Sequence, residues 1–294
     1  MDLLEQLSLA LADRLAAAAP AVVTLETGER HGRGILWRPD VVVASAEAMG
    51  DQATPLIRMG EAKIPSTRAG CDPTTNVAVF RLETPLPGAL PPLAPPPRPG
   101  ALAMIVGADA RGAPTGRLAM VHETGPEWHG MAGGRIDSLL RLDARIGSDE
   151  GGLVLDASGA FLGMAAAGPG RRALVIPAAT LARVVDPLLS QGRIARGWLG
   201  VGLQSVAIAE RFRDAAGQAR GAMVLQLAAN GPSDKAGVLP GDILLALDGQ
   251  HFGRGRRIVA LTGPERIGQK ATLRILRGAA IQEVLVVIDE RPGA

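Results

Sequence analysis

Histidine and cysteine side chains could serve as nucleophile, general base or metal ligand. The chain has one cysteine, Cys71, and four histidines, His31, His122, His129 and His251. A catalytic thiol needs an imidazole partner, and no cysteine-protease signature surrounds these residues. His122 and His129 are seven residues apart with a Gly-Pro pair between them. This spacing does not fit two zinc ligands on one helix, so these residues predict no metal site and no cofactor.

The composition excludes several other classes of protein. Hydrophobic residues make up 47% of the 294 residues, which is enough for two packed domains. The formal charge is only +2, and the basic residues are scattered along the chain. Aromatic residues make up 2%, with no tyrosine, so surfaces for stacking nucleotide bases are nearly absent. We therefore predict that nucleic acid is not a partner.

Short apolar runs separated by glycine and proline dominate the chain after Pro20. Examples are AVVTLET (21–27), VVVAS (41–45), NVAVFRL (76–82) and RALVIP (172–177). Strands recurring every 8–12 residues or so are typical of an all-β barrel or sandwich. The pattern predicts a mainly β protein with one domain over 21–192 and a second over 197–290.

The first 20 residues have a different pattern. Five leucines recur there at helical spacing, and a proline ends the pattern: Leu3, Leu4, Leu7, Leu11, Leu15 and Pro20. This predicts an amphipathic helix over 1–20. Early acidic residues do not fit a secretory signal, and no apolar stretch is long enough to span a membrane. We expect a cytoplasmic protein if this start is native, and a periplasmic one if a leader has been removed.

Two further helices are expected, with a strand between them. Apolar residues at 178–191 follow a helical period, and Pro187 should kink or interrupt that helix. The segment GRGRRIVALTG (253–263) is a second helical stretch. Before it, AGVLPGDILLALDG (236–249) combines glycines for tight turns with Ile243, Leu245 and Leu247, whose alternation predicts a strand with one face in the core.

The C-terminal motifs resemble a bacterial PDZ domain. GWLGVGLQ (197–204) and AGVLPGDILLALDG (236–249) carry that resemblance. In PDZ domains the first loop holds a peptide's terminal carboxylate on backbone N–H groups, and the peptide extends the sheet. The resemblance therefore implies a carboxylate loop and a side-chain pocket made by six residues: Trp198, Leu199, Gly200 and Val201 in the loop, Ile258 and Leu261 in the pocket.

The N-terminal half resembles the protease domain of the HtrA (DegP/DegS-like) family. Four segments occur in the order of that family: residues 32–49, 72–93, 141–164 and 175–201. The resemblance implies a trypsin-like double six-stranded β-barrel followed by a PDZ domain. It also implies peptide-bond hydrolysis by a serine, a histidine and an aspartate.

The three catalytic positions hold other residues. By the resemblance, Glu47 occupies the histidine position, Asn76 the aspartate position and Glu150 the serine position. No hydroxyl remains at the nucleophile position, and Ser148 is expected to point elsewhere. Loss of a triad nucleophile or base costs about 10⁶ in rate. We predict that the triad is degenerate and that no residue in this cleft is catalytic.

The replacements suggest other chemistry for the same cleft. If Glu47 and Glu150 face each other, one pKa should rise or a cation should bind between them. Drift to solvated glutamates is the simpler interpretation, and a carboxylate pair acting in acid–base chemistry is a further one.

These inferences predict a pseudoprotease that binds polypeptide C-termini or unfolded segments through its PDZ domain, as a scaffold, adaptor or chaperone-like factor in protein quality control. Two alternatives stay open: an active serine-type endopeptidase using residues not identified here, and a metal-ion-binding regulator using Glu47 and Glu150. The family resemblance implies a homotrimer or a mixed assembly with HtrA-like proteins.

Overall fold

The computed structural model describes residues 2–28, 30–50, 54–130, 133–147, 150–252 and 261–292. The chain divides into two compact units, residues 1–194 and 195–294.

The first six strands of the N-terminal unit close into an antiparallel barrel in the order β1-β2-β3-β6-β5-β4. Their bounds are β1 Val22–Thr27, β2 Arg30–Arg38, β3 Val41–Ser45, β4 Leu56–Met59, β5 Ala62–Asp72 and β6 Val77–Leu82. Valine-rich strands such as β3 and β6 are buried along almost their whole length, since both of their faces meet apolar neighbours.

A second closed barrel follows, in the order β11-β14-β13-β12-β7-β8, with a small β9–β10 hairpin beside it. The bounds are β7 Leu102–Ala108, β8 Pro114–Gly125, β9 Trp128–His129, β10 Arg135–Ile136, β11 Leu139–Arg145, β12 Gly152–Asp156, β13 Phe161–Ala167 and β14 Arg172–Pro177. The predicted double six-stranded barrel is therefore confirmed.

One apolar cluster joins the two barrels. It includes Ile35 and Val79 from the first barrel and Val106 and Leu153 from the second, all with no exposed surface. Trp37 meets Phe161 edge-on across the same boundary, with ring centroids 6.3 Å apart. The cleft between the barrels thus rests on a shared core, which fixes the residues at its rim.

Helix α1 (Leu3–Ala18) begins with a capping box in which Asp2 and Glu5 exchange side-chain-to-backbone hydrogen bonds. A short 3₁₀ turn, Ala19–Ala21, contains Pro20 and leads into β1. The apolar side of the helix is only partly covered. Leu15 packs beside Gly116 of β8, whereas four leucines nearer the start are exposed: Leu3, Leu4, Leu7 and Leu9.

Two helices lie elsewhere in the N-terminal unit: the single turn α2 (Ala46–Met49) and α3 (Ala178–Gln191). Helix α3 runs through Pro187 without the predicted interruption. Its buried residues Leu181, Val184 and Leu188 pack on the shared core, and this burial outweighs the hydrogen bond that proline forfeits.

The C-terminal unit has a sheet in the order β16-β17-β18-β20-β21, with β19 paired to β18 and a separate β15–β22 pair. The strands are β15 Gly197–Trp198, β16 Val201–Ala207, β17 Arg220–Leu227, β18 Ile243–Leu247, β19 Gln250–His251, β20 Lys270–Arg277, β21 Ala280–Val287 and β22 Asp289–Glu290; the helices are α4 Glu210–Ala216 and α5 Pro232–Lys235.

Strand β18 differs from its prediction. Leu244 and Leu247 join the main core of the unit, while Leu245 packs on the other side with Ile208 and Ala216. The second cluster could not be predicted without α4, which supplies part of it and which the sequence pattern does not indicate.

The predicted helix over 253–263 falls largely outside the described residues, and Leu261–Gly263 form a turn rather than a helix. Among the residues that are described, no helix combines the length and apolar character that crossing a membrane requires.

Candidate functional site

The three degenerate positions lie on different elements of the N-terminal unit, and the structure brings two of them together. Asn76 precedes β6 in a left-handed conformation, with φ of 59°. Its side-chain oxygen accepts hydrogen bonds from the Glu47 backbone N–H at 2.8 Å and from the Ser45 hydroxyl at 2.9 Å. The Glu47 side chain itself is exposed on α2. Asn76 therefore orients the backbone of α2 rather than a catalytic base.

Glu150 forms two hydrogen bonds with Gly147 in its own loop. Its carboxylate accepts the Gly147 N–H at 2.8 Å, and the Glu150 N–H donates to the Gly147 carbonyl at 3.1 Å. By the family resemblance, the N–H at position 150 would stabilise an oxyanion. Here that N–H is already bonded to a carbonyl oxygen, and a hydroxyl nucleophile is absent from the position. Ser148 and Asp149 lie outside the described residues.

Arginines surround Glu150. The Gly147 N–H is the largest influence that lowers the pKa of Glu150, and Arg117, Arg33 and Arg171 lower it further against a smaller effect of burial. The Arg117 guanidinium lies 3.5 Å from the carboxylate. Of the two expected outcomes, a raised pKa and a bound cation, the first does not hold for Glu150, since its charged neighbours are arginines. That the carboxylates of Glu47 and Glu150 face each other stays a prediction.

Within the described ranges, no group of three or more histidine, cysteine, aspartate or glutamate side chains could hold an ion. Cys71, the single cysteine of the chain, is half-buried in β5 against the core of the first barrel.

The C-terminal unit presents a different kind of loop between β15 and β16. The Leu199 carbonyl accepts the Ser233 N–H at 3.0 Å, and the Gly200 carbonyl accepts the Ala228 N–H at 2.8 Å. Among the described residues, the N–H groups of Leu199 and Gly200 donate to no protein acceptor. Gly200 has φ of 73°, a left-handed conformation that glycine adopts without strain.

The loop borders a cavity of about 160 Å³. Its lining comprises Arg196, Gly197, Trp198, Leu199, Gly200, Val201, Thr262 and Arg291. The cavity therefore gathers all four predicted carboxylate-loop residues and adds two arginines. Leu261, predicted to line the side-chain pocket, is instead 7% exposed within the core. Ile258 lies outside the described residues.

An ion pair that the sequence analysis did not predict supports the loop. Arg277 donates two hydrogen bonds to Asp242, at 2.8 and 2.7 Å, and Asp242 also accepts the Leu239 N–H at 2.8 Å. The preceding residue, Val238, donates its N–H to the Ser233 carbonyl, and the Ser233 N–H donates to the Leu199 carbonyl. Burial is the largest single influence on the pKa of Asp242 and raises it, but the bonds from Arg277 and Leu239 together lower it.

Comparison with known proteins agrees with this geometry. A family model for the PDZ domain matches residues 197–288. The chain is 34% identical over 137 residues to a "Probable periplasmic serine endoprotease DegP-like" of Hahella chejuensis, a match that covers 46% of this chain and 27% of that protein. The protein of the same name from Brucella suis is 30% identical over 169 residues, covering 55% and 33% respectively.

Solved structures resemble the whole chain. "HtrA-type protease AlgW with decapeptide" has a TM-score of 0.76 at 20% identity, and the match covers 97% of this chain and 99% of that one. A serine endoprotease from Yersinia pestis has a TM-score of 0.69 at 20% identity, covering 96% and 98%. Likeness at this level of identity establishes the fold.

The chain resembles DegP-like proteases in sequence and HtrA-type proteases in fold, and its residues 197–288 match the PDZ domain.

The chain matches only about a third of the length of the curated relatives that it resembles. Those relatives are named periplasmic endoproteases. The expectation of a cytoplasmic protein is therefore wrong, and the names of the relatives point to the periplasm.

Proposed function

We propose that this chain is a catalytically inactive HtrA-like protein that binds polypeptide C-termini through residues 198–201. The observation that carries the proposal is the loop after β15. The carbonyls of Leu199 and Gly200 accept backbone hydrogen bonds, while their N–H groups donate to no acceptor in the part of the chain that the structure describes. Paired N–H groups of this kind form a nest for a carboxylate. Arg196 and Arg291 in the lining add positive charge.

The strand after the loop suits the rest of a peptide. Strand β16 is at the edge of its sheet within the described residues, paired only to β17. An extended peptide can add beside such an edge, so that its main chain gains hydrogen bonds while its terminal carboxylate binds the nest. This mode of binding would serve a scaffold, adaptor or chaperone-like factor.

Absence of catalysis is proposed from the Glu150 loop. A carboxylate replaces the nucleophile, and its own N–H and that of Gly147 are bonded within the loop. Loss of a single oxyanion donor typically costs about 10²–10³ in rate, in addition to the loss of the triad. Assembly with copies of itself or with active HtrA-like proteins remains part of the proposal, and light scattering on the purified chain would measure it.

Calorimetry with a decapeptide that ends in three hydrophobic residues tests the binding proposal. We expect the peptide with a free C-terminus to bind at least about tenfold more tightly than the same peptide amidated, because amidation removes the charge from the nest. Equal affinities would overturn the proposed carboxylate loop.

A protease assay on unfolded casein tests the absence of catalysis. We expect no cleavage above buffer by the chain or by its Glu150→Ala variant. Cleavage by the chain that disappears in the variant would establish an active hydrolase and overturn the proposal.

A further inference from the structure

A second pocket lies beside Glu150 in the N-terminal unit. It has a volume of about 260 Å³ and is lined by Arg145, Ile146, Glu150 and Arg171. Ile146 is 2% exposed and bonds through its N–H to the Arg171 carbonyl at 2.9 Å. This bond ties the end of β11 to the start of β14, so the two arginines that flank the pocket have fixed backbones.

The guanidinium groups around this pocket retain donors. Arg145 donates to the Gly170 carbonyl at 3.4 Å, and Arg117 donates to the Arg145 carbonyl. Among the described residues, no acceptor bonds to the side chain of Arg171. A guanidinium carries five N–H donors in a planar fork, so most of the donors of Arg145 and Arg171 remain available to a ligand.

Positive charge exceeds negative charge here. Arg33, Arg117 and Arg171 all act on Glu150, and Arg145 lines the same pocket. Among the described residues that line the pocket or act on Glu150, Glu150 itself is the one carboxylate. The pocket therefore favours an anion.

The backbone of Arg171 adds a second observation. It has φ of 61°, directly after Gly170 with φ of 67°. Arginine adopts this conformation at a cost that glycine would avoid. Such outliers cluster at binding sites, where a particular side chain is needed despite the strain.

We propose that this pocket binds the acidic side chain of a polypeptide, at a site separate from the carboxylate loop of the PDZ domain. Two guanidinium forks beside the buried Ile146 suit a carboxylate that accepts paired N–H bonds. The position formerly used for cutting would thus hold a glutamate or aspartate of a bound chain.

Calorimetry on the full chain tests this proposal, using a short peptide with one central glutamate and the same peptide with glutamine. Both are acetylated and amidated, so neither offers a terminal carboxylate to the PDZ loop. We expect the glutamate peptide to bind about tenfold more tightly, as charge-assisted hydrogen bonds predict. Equal affinities would overturn the proposal and would leave the C-terminal binding test unaffected.

Arg171→Gly separates binding from folding. Glycine suits the left-handed backbone, so the variant should keep the melting temperature of the chain while losing the preference for glutamate. Arg81→Gln is the matched control, since Arg81 is exposed, pairs with Asp40 and lines no part of this pocket. If Arg81→Gln weakens binding as much as Arg171→Gly, the attraction is general surface charge and the proposal fails.

Competition by inorganic phosphate is the last test of this proposal. It should compete only weakly with the glutamate peptide. Displacement by phosphate at the concentration of the peptide would indicate a general anion site and would overturn the assignment to an acidic polypeptide.

Discussion

Two loops of this molecule, residues 147–150 and residues 199–200, resemble segments whose backbone N–H groups bind anions. In the first, Gly147 and Glu150 exchange two hydrogen bonds, and the carboxylate of the chain itself takes the place of a ligand. In the second, the carbonyls of Leu199 and Gly200 bond inward, and the N–H groups have no acceptor among the described residues. A loop can receive an external anion only while the chain supplies no acceptor of its own.

Both loops lie on well-packed hydrophobic cores. The rim of the barrels rests on a core with side chains such as Val106 and Leu153 at zero exposure, and the PDZ core is as dry around Leu244 and Leu273. The difference between the loops therefore does not come from a loosened fold. We propose that substitution of a few polar side chains is sufficient to inactivate one site and keep the other.

Removal of the Asp242–Arg277 ion pair, which supports the loop of residues 199–200, should have the largest effect on stability and peptide binding. Arg277→Leu leaves Asp242, which is 2% exposed, without its cation. We expect the free energy of unfolding of the C-terminal unit to fall by about 3 kcal/mol, measured by denaturant titration. Peptide binding should weaken with it, since Asp242 anchors the segment that bonds to Leu199.

The double variant Asp242→Asn/Arg277→Leu is the control for that change. It removes the stranded charge and should recover part of the lost stability. A double variant as unstable as Arg277→Leu would show that packing of the Arg277 side chain, rather than charge, stabilises the unit.

A methyl group at Gly200, in the loop of residues 199–200, should have an intermediate effect on stability and peptide affinity. Gly200→Ala places a Cβ about 3.3 Å from Pro232 at a φ of 73°. We expect a loss of about 1 kcal/mol in stability from the left-handed backbone and a loss of peptide affinity. Gly217→Ala, at a φ of 72° and outside the lining of the loop cavity, should lose similar stability and keep its peptide affinity. Unchanged peptide affinity in Gly200→Ala would argue against the carboxylate nest.

The negative charge of Glu150, in the loop of residues 147–150, should have the smallest effect on stability. The bond from Gly147 lowers the pKa of Glu150 in the folded chain. A lowered folded pKa gives stability that is present above the ordinary glutamate pKa, near 4.3, and is lost as the pH falls through the lower value. Because the side chain is 36% exposed, screening limits this contribution to a few tenths of a kcal/mol or so.

Glu150→Gln tests that contribution. The variant should flatten the pH dependence of unfolding between about pH 3 and pH 5 and leave stability at pH 7 nearly unchanged. A large loss at pH 7 would mean that the loop depends on the carboxylate for its structure.

Much of the fold could be predicted from the sequence because strand patterns and turn residues are local. AGVLPGDILLALDG carries its turns at Gly237 and Gly241, both at positive φ, and its strand at β18. The passage of α3 through Pro187 could not be predicted, since it depends on burial against residues distant in sequence.

The sites were less accessible to sequence reasoning. The positions of Glu47, Asn76 and Glu150 followed from resemblance, but the cations around Glu150 did not. Arg33, Arg117 and Arg171 come from three separate strands or strand ends, and only closure of the barrels brings them near one carboxylate. The bonds between Gly147 and Glu150 depend on a side-chain rotamer, which residue types do not specify.

Trp198 has a practical consequence for optical work on this protein. Its ring lies over Gly200 and Gly231, and it is one of three tryptophans in a chain without tyrosine. Ultraviolet emission therefore comes almost wholly from three indoles. With Trp37 and Trp128 changed to phenylalanine, the remaining fluorescence would originate beside the loop that is proposed to hold a peptide end. Occupancy could then be followed without a dye.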